Sequence, residues 1–391
     1  MTATRVKGAQ EYFAYMGVEA ESGLAAVRLG SPPLYETILG AFAGPLGRAE
    51  LSRADRELCT VAILAAIGDA PRQLAVHVAA ALRAGYTASE LRALCEHVSV
   101  YAGIPRALNA LEVIYKVVEE KAPGTGLPPS ERHVHVRDHD SVVGHAGDAI
   151  VPVILVHGLA TDRHMWDAVV PLLSGEKSIY TVDLRGHGSA SYAPAPQTFD
   201  DYVNDLVTVM DQLGIDAAHL VGVSLGASVV QAVALRAPER TLSVTALGAI
   251  DRPDPVFIER AVAGERGDTD EQVTRTLLRW FSEFEIAQNT RGVRYAREQL
   301  VRCSPANWGA AWRAFATLDI AEQLPGLKPP SLFVAAENDT TITPQANQEV
   351  AARVPGSRTH VLKGTSHAQP LSRPDLVGAA ICDFIDAIGQ K

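Results

Sequence analysis

Cysteine and positive charge are both scarce in this sequence. The formal net charge is −10 at pH 7, so the chain offers no basic surface to neutralise a phosphate backbone, and we expect no nucleic acid partner. No two cysteines form a Cys-x-x-Cys pair, which argues against a disulfide framework or a dithiol redox centre. The four thiols are scattered over the 391 residues as Cys59, Cys95, Cys303 and Cys382.

Long uninterrupted apolar runs are missing as well. Charged residues recur through the first 30 positions, which leaves no apolar segment suited to an export signal. The longest apolar run in the C-terminal two thirds, residues 150–156, is far shorter than a helix that spans a bilayer. We therefore expect a cytoplasmic protein that has no membrane partner.

The N-terminal third shows the apolar spacing of helices. A chain of this length can hold two domains, and apolar residues recur at helical spacing from Ser52 onwards. Ser52 is a suitable N-cap, residues 87–90 (Thr-Ala-Ser-Glu) form a capping box, and Gly85 can end the helix before it. These signals predict an all-α domain over residues 1–125.

The pattern changes after a stretch rich in Pro and Gly at residues 121–132, which has the composition of an interdomain linker. Beyond it, short β-rich runs alternate with helices, which predicts an α/β domain with a mostly parallel sheet over residues 131–391. Residues 252–329 interrupt this alternation, and we interpret them as a helical lid. The expected strands are residues 133–137, 151–156, 178–182, 219–223, 243–247, 331–335 and 358–362.

A Gly-x-Ser-x-Gly motif follows one of these apolar runs. It reads Gly222-Val223-Ser224-Leu225-Gly226 and leads into an apolar helical segment. A strand that enters a helix through this motif is typical of a nucleophile elbow, whose strained turn presents the serine to a cleft. A Cβ at either glycine would collide with neighbouring backbone. Ser224 is therefore the candidate nucleophile.

A serine nucleophile needs a base, and the base needs an orienting acid. In folds that carry a nucleophile elbow, the acid precedes the histidine in the chain, and both follow the serine. Asp339 and His367 each come just after a predicted strand, where both would reach the same edge of the sheet. Asp251 is the alternative acid, because it also follows a strand whose end could reach the histidine.

Two backbone N–H groups are candidate donors to the oxyanion that such a reaction forms. One belongs to Leu225, directly after the nucleophile, and the other to Leu159, in the turn after the strand at residues 151–156. His133 and His135 alternate on one strand face, but no carboxylate or thiolate set completes a metal site around them. We expect neither a metal ion nor a cofactor.

Further motifs accompany the candidate triad, namely residues 157–166 (His-Gly-Leu-Ala-Thr-Asp-Arg-His-Met-Trp), Arg185-Gly186-His187-Gly188 and Arg279-Trp280-Phe281. Through these motifs and the Ser224, Asp339 and His367 segments, residues 131–389 resemble the 3-oxoadipate enol-lactonases of the α/β-hydrolase family. The resemblance implies an α/β-hydrolase fold with a helical lid and a lactone or ester as small-molecule substrate.

The N-terminal domain carries motifs of another family, at residues 51–57 (Leu-Ser-Arg-Ala-Asp-Arg-Glu), 76–82 (Val-His-Val-Ala-Ala-Ala-Leu), 85–87 (Gly-Tyr-Thr) and 100–105 (Val-Tyr-Ala-Gly-Ile-Pro). Residues 35–120 are similar to the 4-carboxymuconolactone decarboxylase family, and the similarity implies that His77 belongs to a possible second site. Gln73 stands where that family usually has an acidic residue. The domain therefore either decarboxylates or serves to assemble a homo-oligomer through its helices.

The leading hypothesis is a serine hydrolase that opens a lactone or ester, and the resemblance favours an enol-lactone. The same nucleophile would serve a C–C bond hydrolase or a cofactor-free perhydrolase, which product analysis distinguishes. A non-enzymatic binding protein with an inactive triad is a third hypothesis. A fluorophosphonate probe separates it from the others, because an unactivated serine should not react.

Overall fold

The computed structural model describes residues 3–16, 21–48, 50–121, 130–173, 175, 177–266 and 269–389. The chain divides into two compact units, residues 1–128 and residues 129–391. Within the described ranges, no helix combines the length and apolar character needed to cross a bilayer.

The first unit is helical throughout its described part. Ser52 accepts a hydrogen bond from Asp55 N–H at the start of α4, and Gly68 ends that helix in the left-handed conformation. The capping box at Thr87 and Glu90 forms as predicted. The described helices are α1 (Ala3–Met16), α2 (Glu21–Gly30), α3 (Pro32–Ala43), α4 (Arg53–Ile67), α5 (Pro71–Arg83), α6 (Ala88–Ala102) and α7 (Ile104–Lys121).

The second unit is built on an eight-stranded sheet with strand order β1-β2-β4-β3-β5-β6-β7-β8. The β1–β2 and β2–β4 pairs are antiparallel, and every other pair is parallel. The strands are β1 (Ser130–Val136), β2 (His139–Ala146), β3 (Pro152–Val156), β4 (Ser178–Val182), β5 (Ala218–Val223), β6 (Thr241–Leu247), β7 (Ser331–Ala336) and β8 (Arg358–Leu362).

Helices cover both faces of this sheet, so the central strands are buried on both sides and consist of continuous apolar runs. Five helices, α11–α15, lie between β6 and β7 in the chain. The described helices of this unit are α8 (Val170–Leu173), α9 (Asp200–Leu213), α10 (Leu225–Arg236), α11 (Pro255–Glu265), α12 (Thr269–Trp280), α13 (Glu283–Ala287), α14 (Arg291–Arg302), α15 (Pro305–Phe315), α16 (Pro344–Ala352), α17 (Gln369–Ser372) and α18 (Pro374–Gly389).

The predicted fold class, an all-α part followed by an α/β-hydrolase architecture, is confirmed, but two features were missed. β2 was not expected, because Asp140, Ser141 and Gly144 interrupt the apolar alternation that identifies a strand. Helices α1–α3 lie within the predicted all-α domain, but their individual positions were not predicted. Gly8 of α1 packs so closely on α3 that a Cβ at this position would lie 2.2 Å from the Leu39 carbonyl oxygen. The spacing of apolar residues along one helix does not reveal such a contact between two helices.

A buried ion pair joins the loop after β4 to helix α9. Arg185, only 2% exposed, donates from Nε to Asp205 Oδ2 and from Nη2 to Asp205 Oδ1, both at 2.8 Å. Its Nη1 also donates to Asp138 Oδ2 at 3.1 Å and to the Pro194 carbonyl oxygen at 3.0 Å. These contacts give Arg185 a role in holding the loop after β4 against α9.

Replacing Arg185 with Met should lower the free energy of unfolding by about 3–5 kcal/mol, because it leaves the buried Asp205 carboxylate with only a longer contact of 3.4 Å to Arg137 Nη1. Urea denaturation followed by circular dichroism measures the change. Arg236→Met is the matched control: Arg236 pairs with Asp200 at 2.7 Å on the surface, and its loss should cost less than about 1 kcal/mol. Equal effects of the two substitutions would contradict the interpretation.

Candidate active site

Ser224 sits at a strained turn between β5 and α10. Its backbone has φ 54° and ψ −117°, a left-handed conformation that a non-glycine residue rarely adopts. A Cβ on Gly222 would lie 2.2 Å from the Gly226 carbonyl oxygen, and a Cβ on Gly226 would lie 2.4 Å from that of Val156. The close backbone contacts expected at both glycines are therefore present in the structure, and the turn projects Ser224 from the sheet edge.

His367 and Asp339 form a buried pair at the same edge. His367 Nδ1 lies 2.7 Å from Asp339 Oδ2, and both side chains are almost completely shielded from solvent. The other carboxylate oxygen of Asp339 accepts hydrogen bonds from Thr341 N–H at 2.7 Å and Ile342 N–H at 2.9 Å. Such bonds fix the carboxylate, which in turn fixes the orientation of the imidazole ring.

Asp251, the alternative acid, has other partners. Its carboxylate lies 3.1 Å from an Arg353 guanidinium nitrogen and 3.4 Å from Arg252 Nε, and its backbone carbonyl accepts a hydrogen bond from Ile320 N–H. The structure thus brings Asp339, and not Asp251, into contact with His367.

A cavity that is partly open to solvent joins these residues to the inserted helices. Ser224 and His367 line it at the sheet edge, while Trp280, Trp308 and Trp312 line it from α12 and α15. The hydroxyl of the candidate nucleophile and the imidazole of the candidate base therefore face one common, largely apolar space.

One of the two candidate oxyanion donors, Leu159, lies at this cavity. Leu159 lines it together with Gly158, whose Cβ position is 3.5 Å from Ser224 Cβ. Leu225 is the first residue of α10, and the N–H of a first helical residue has no partner within its own helix. The turn after β3 thus approaches Ser224 closely, and α10 begins directly after it.

Tyr295 is a site-supporting residue that the sequence did not reveal. Its hydroxyl donates to Asp162 Oδ1 at 2.7 Å and accepts a hydrogen bond from Asp162 N–H at 3.1 Å. Burial raises the pKa of Tyr295 well above its usual value, so this hydroxyl stays protonated. The hydroxyl thus links α14 to the loop that carries Leu159. The two partners are 133 positions apart in the sequence, so no local sequence pattern could predict their contact.

His157 supports the same loop through two backbone contacts. Its Nδ1 is 2.7 Å from the Gly158 carbonyl oxygen, and its Nε2 accepts a hydrogen bond from Leu184 N–H at 2.9 Å. These partners require the tautomer with the proton on Nδ1. Burial lowers the pKa of His157, so the ring is neutral and serves as an internal brace.

His77, the possible second-site residue, lies on α5 of the N-terminal unit. Its Nδ1 is 2.8 Å from Glu57 Oε2 of α4, and Glu57 is only 3% exposed. Gln73 stands where an acidic residue was expected, and the contact with Glu57 was not predicted, because Glu57 lies on another helix 20 positions away. A carboxylate and imidazole in contact can exchange protons with a ligand.

Among the residues that the structure places, no three His, Cys, Asp or Glu side chains gather in a group that could hold a metal ion. His135 instead contacts Asp140 at 2.8 Å.

Two families match the sequence. The family described as alpha/beta hydrolase fold matches residues 151–374, and the carboxymuconolactone decarboxylase family matches residues 32–116. The 3-oxoadipate enol-lactonase 1 of Acinetobacter baylyi is 24% identical over 238 residues, which cover 60% of this chain and 89% of the relative. Esterase YbfF of Escherichia coli is 25% identical over 243 residues, which cover 60% of this chain and 93% of the esterase.

Solved structures show the same similarity. The crystal structure of the enol-lactonase from Burkholderia xenovorans aligns with a TM-score of 0.61 and 25% identity, covering 65% of this chain and 100% of that one. The crystal structure of a hydrolase from Pseudomonas aeruginosa aligns with a TM-score of 0.62 and 25% identity. The alignment covers 66% of this chain and 98% of that one.

Gly226→Ala should distort the turn at Ser224, because the new Cβ would lie 2.4 Å from one backbone oxygen and 2.5 Å from another. We expect a loss of about 1–3 kcal/mol in unfolding free energy and at least about tenfold slower reaction of Ser224 with a fluorophosphonate. Gly326→Ala is the control, since nothing lies within 4 Å of its Cβ position. Wild-type labelling by Gly226→Ala would show that the turn tolerates the added carbon.

Proposed function

Since the chain belongs to the α/β-hydrolase family, and is a hydrolase, we propose that it hydrolyses an ester or lactone with Ser224 as the nucleophile. The observation that carries this proposal is the His367–Asp339 contact of 2.7 Å next to a cavity that Ser224 and His367 both line. A neutral hydroxyl becomes a competent nucleophile only when such a base can take its proton.

In the proposed reaction, Ser224 Oγ attacks the substrate carbonyl carbon while His367 accepts the hydroxyl proton. Asp339 holds the imidazole in position and stabilises the imidazolium. His367 then returns the proton to the leaving alkoxide, which departs as an alcohol or, in a lactone, remains tethered to the acyl group. Water attacks the acyl-enzyme through the same base, releases the acid and restores Ser224.

Two backbone donors would stabilise the oxyanion of each tetrahedral intermediate. Leu225 N–H stands at the start of α10, and Leu159 N–H belongs to the loop that Tyr295 and His157 brace. Donors held rigidly before the reaction contribute more than mobile ones, because no reorganisation is needed when charge develops.

An enol-lactone is the favoured substrate within this class. The similarity to the enol-lactonases of A. baylyi and B. xenovorans supports it, although esterases match at comparable identity. Product analysis shows which bond is cleaved. An ester should give one acid and one alcohol, and a lactone should give a single hydroxy acid or oxo acid. Cleavage of a carbon–carbon bond, or peracid formation, would instead identify a different reaction on the same nucleophile.

Ser224→Ala should reduce hydrolysis of p-nitrophenyl esters or an enol-lactone by about 10³-fold or more and abolish fluorophosphonate labelling, while the circular dichroism spectrum stays unchanged. Ser228→Ala is the matched control, since Ser228 lies one helical turn further along α10 and its hydroxyl donates to the Ile250 carbonyl oxygen at 2.8 Å. Near wild-type turnover by Ser224→Ala would refute the proposed nucleophile.

For the N-terminal unit we propose a role in assembling a homo-oligomer. Helices α6 and α7 expose large apolar side chains, among them Val100, Tyr101, Ile104 and Leu108, each more than half exposed. Apolar side chains grouped in this way are typical of a surface that another protein covers, and symmetric contacts between identical chains are the commonest arrangement.

Tyr101→Glu should lower the molar mass measured by light scattering, because it places a charge on this apolar surface, while ester hydrolysis continues. Tyr192→Glu is the control: Tyr192 is 98% exposed in the C-terminal unit, and its substitution should leave the mass unchanged. A wild-type chain that is monomeric at micromolar concentration would refute the assembly role.

A further inference from the structure

A second, smaller cavity lies beside the one that Ser224 and His367 line. It is enclosed by side chains of the inserted helices α11, α12, α14 and α15. Among the described residues that line the two cavities, Trp308 is the one that belongs to both. The other residues of the second wall are Gly264, Gln272, Val273, Leu300, Cys303 and Pro305.

The two cavities are neighbours along helix α12. Gln272 and Val273 of this helix line the second cavity, and Thr276, about one turn further on, lines the Ser224 cavity. One turn of an α-helix rises by only about 5 Å. Because the side chain of Trp308 lines both spaces, it forms a partition between them.

The indole ring of Trp308 is held in place. The residue is only 4% exposed, and its Nε1–H donates a hydrogen bond to the Arg260 carbonyl oxygen at 3.0 Å. Helix α11 approaches so closely that a Cβ on Gly264 would lie 2.1 Å from Trp308 Cδ1. The ring of Trp312 packs against the indole edge to face, with the ring centres 6.0 Å apart. A close-packed side chain whose donor is satisfied acts as a fixed wall.

The space beyond this wall suits an alkyl group. Val273, Leu300 and Pro305 contribute apolar side chains, and none of the described residues that line the second cavity is an acid or a base of the Asp, Glu, Lys, Arg or His type. Burial raises the pKa of the Cys303 thiol to about 12, so this side chain is also uncharged at neutral pH. An uncharged lining favours an alkyl chain over an ionic group.

We propose that Trp308 determines how long an alkyl group the substrate can carry, because its indole closes the Ser224 cavity on the side of the second cavity. The inference rests on the proposed hydrolysis at Ser224. A short alkyl group fits in front of the indole. A longer one meets a ring that can move aside only by losing its hydrogen bond and its packing contacts. The substrate class is therefore an ester or lactone with a short alkyl group on this side.

Two matched pairs of ligands test the proposal with the full-length protein. The first pair, p-nitrophenyl butanoate and p-nitrophenyl octanoate, reports kcat/KM. The second pair, butylboronic acid and octylboronic acid, reports Kd by calorimetry without turnover. In the boronic acid complex, Ser224 Oγ bonds to boron while His367 accepts the hydroxyl proton, which gives a tetrahedral adduct similar to the reaction intermediate.

The wild-type protein should favour the butyl member of each pair by at least about tenfold, because the octyl chain does not fit in front of Trp308. Trp308→Ala should join the two cavities and raise the octyl member relative to the butyl member by at least about tenfold. Trp312→Ala is the matched control. It removes the same kind of side chain from the Ser224 cavity, but Trp312 is not among the residues that line the second cavity, so the wild-type preference should remain.

A second substitution should reverse the gain. Val273→Phe, added to Trp308→Ala, places a phenyl ring in the second cavity and should restore the preference for the butyl members. Val273→Phe alone should keep the wild-type preference, since Trp308 still closes the Ser224 cavity. Trp308→Leu keeps an apolar side chain in the helix contact and should shift the preference in the same direction as Trp308→Ala. Circular dichroism establishes that each variant is folded.

The failures of the two proposals are distinguishable. If the wild-type protein neither hydrolyses p-nitrophenyl butanoate nor reacts with a fluorophosphonate at Ser224, the proposed hydrolysis fails. If it reacts at Ser224 but binds or hydrolyses the octyl member as well as the butyl member, the inference about Trp308 alone is overturned. It is also overturned if folded Trp308→Ala and Trp308→Leu keep the wild-type preference, or if Trp312→Ala gains as much as Trp308→Ala.

Discussion

The contact between Gly226 and the end of β3 is the constraint on which the candidate active site depends. Because residue 226 has no Cβ, its backbone approaches the carbonyl oxygens of Val156 and His157 at a distance that no larger residue allows. Helix α10 can therefore start directly at the sheet edge, and Ser224 is kept in a conformation that costs about 1–3 kcal/mol. Packing on both sides of the turn maintains this strain.

The parallel sheet brings the other candidate active-site residues to the turn at Ser224. Strands β3, β5, β7 and β8 run in the same direction, so the segments that follow them meet at one edge. Leu159, Ser224, Asp339 and His367 each follow a different one of these strands. Loops can then vary in length and composition while the four groups keep their relative positions, because the strands determine where each loop begins.

The arrangement of charge separates structural arginines from those at the cavity. Arg163 and Arg185 each have an aspartate at hydrogen-bonding distance, whereas Arg260 and Arg279 face an apolar cavity with donors beside them. Net charge, which is negative, gives no indication of this local excess. The inserted helices therefore determine the space open to a substrate, because they contribute both arginines and the tryptophan between the two cavities.

Local patterns were sufficient to predict the fold class and the strained turn at Ser224. Continuous apolar runs identify buried parallel strands, and Gly-x-Ser-x-Gly after such a run identifies the turn, because both signals depend only on neighbours in the chain. The polar β2 strand and helices α1–α3 gave weaker signals. The tertiary structure alone decided which of Asp339 and Asp251 contacts His367, the Glu57–His77 and Tyr295–Asp162 contacts, and the placement of Arg260 and Arg279 at the cavity. These all join residues far apart in sequence, and which of them meet depends on how strand ends and helices pack in space.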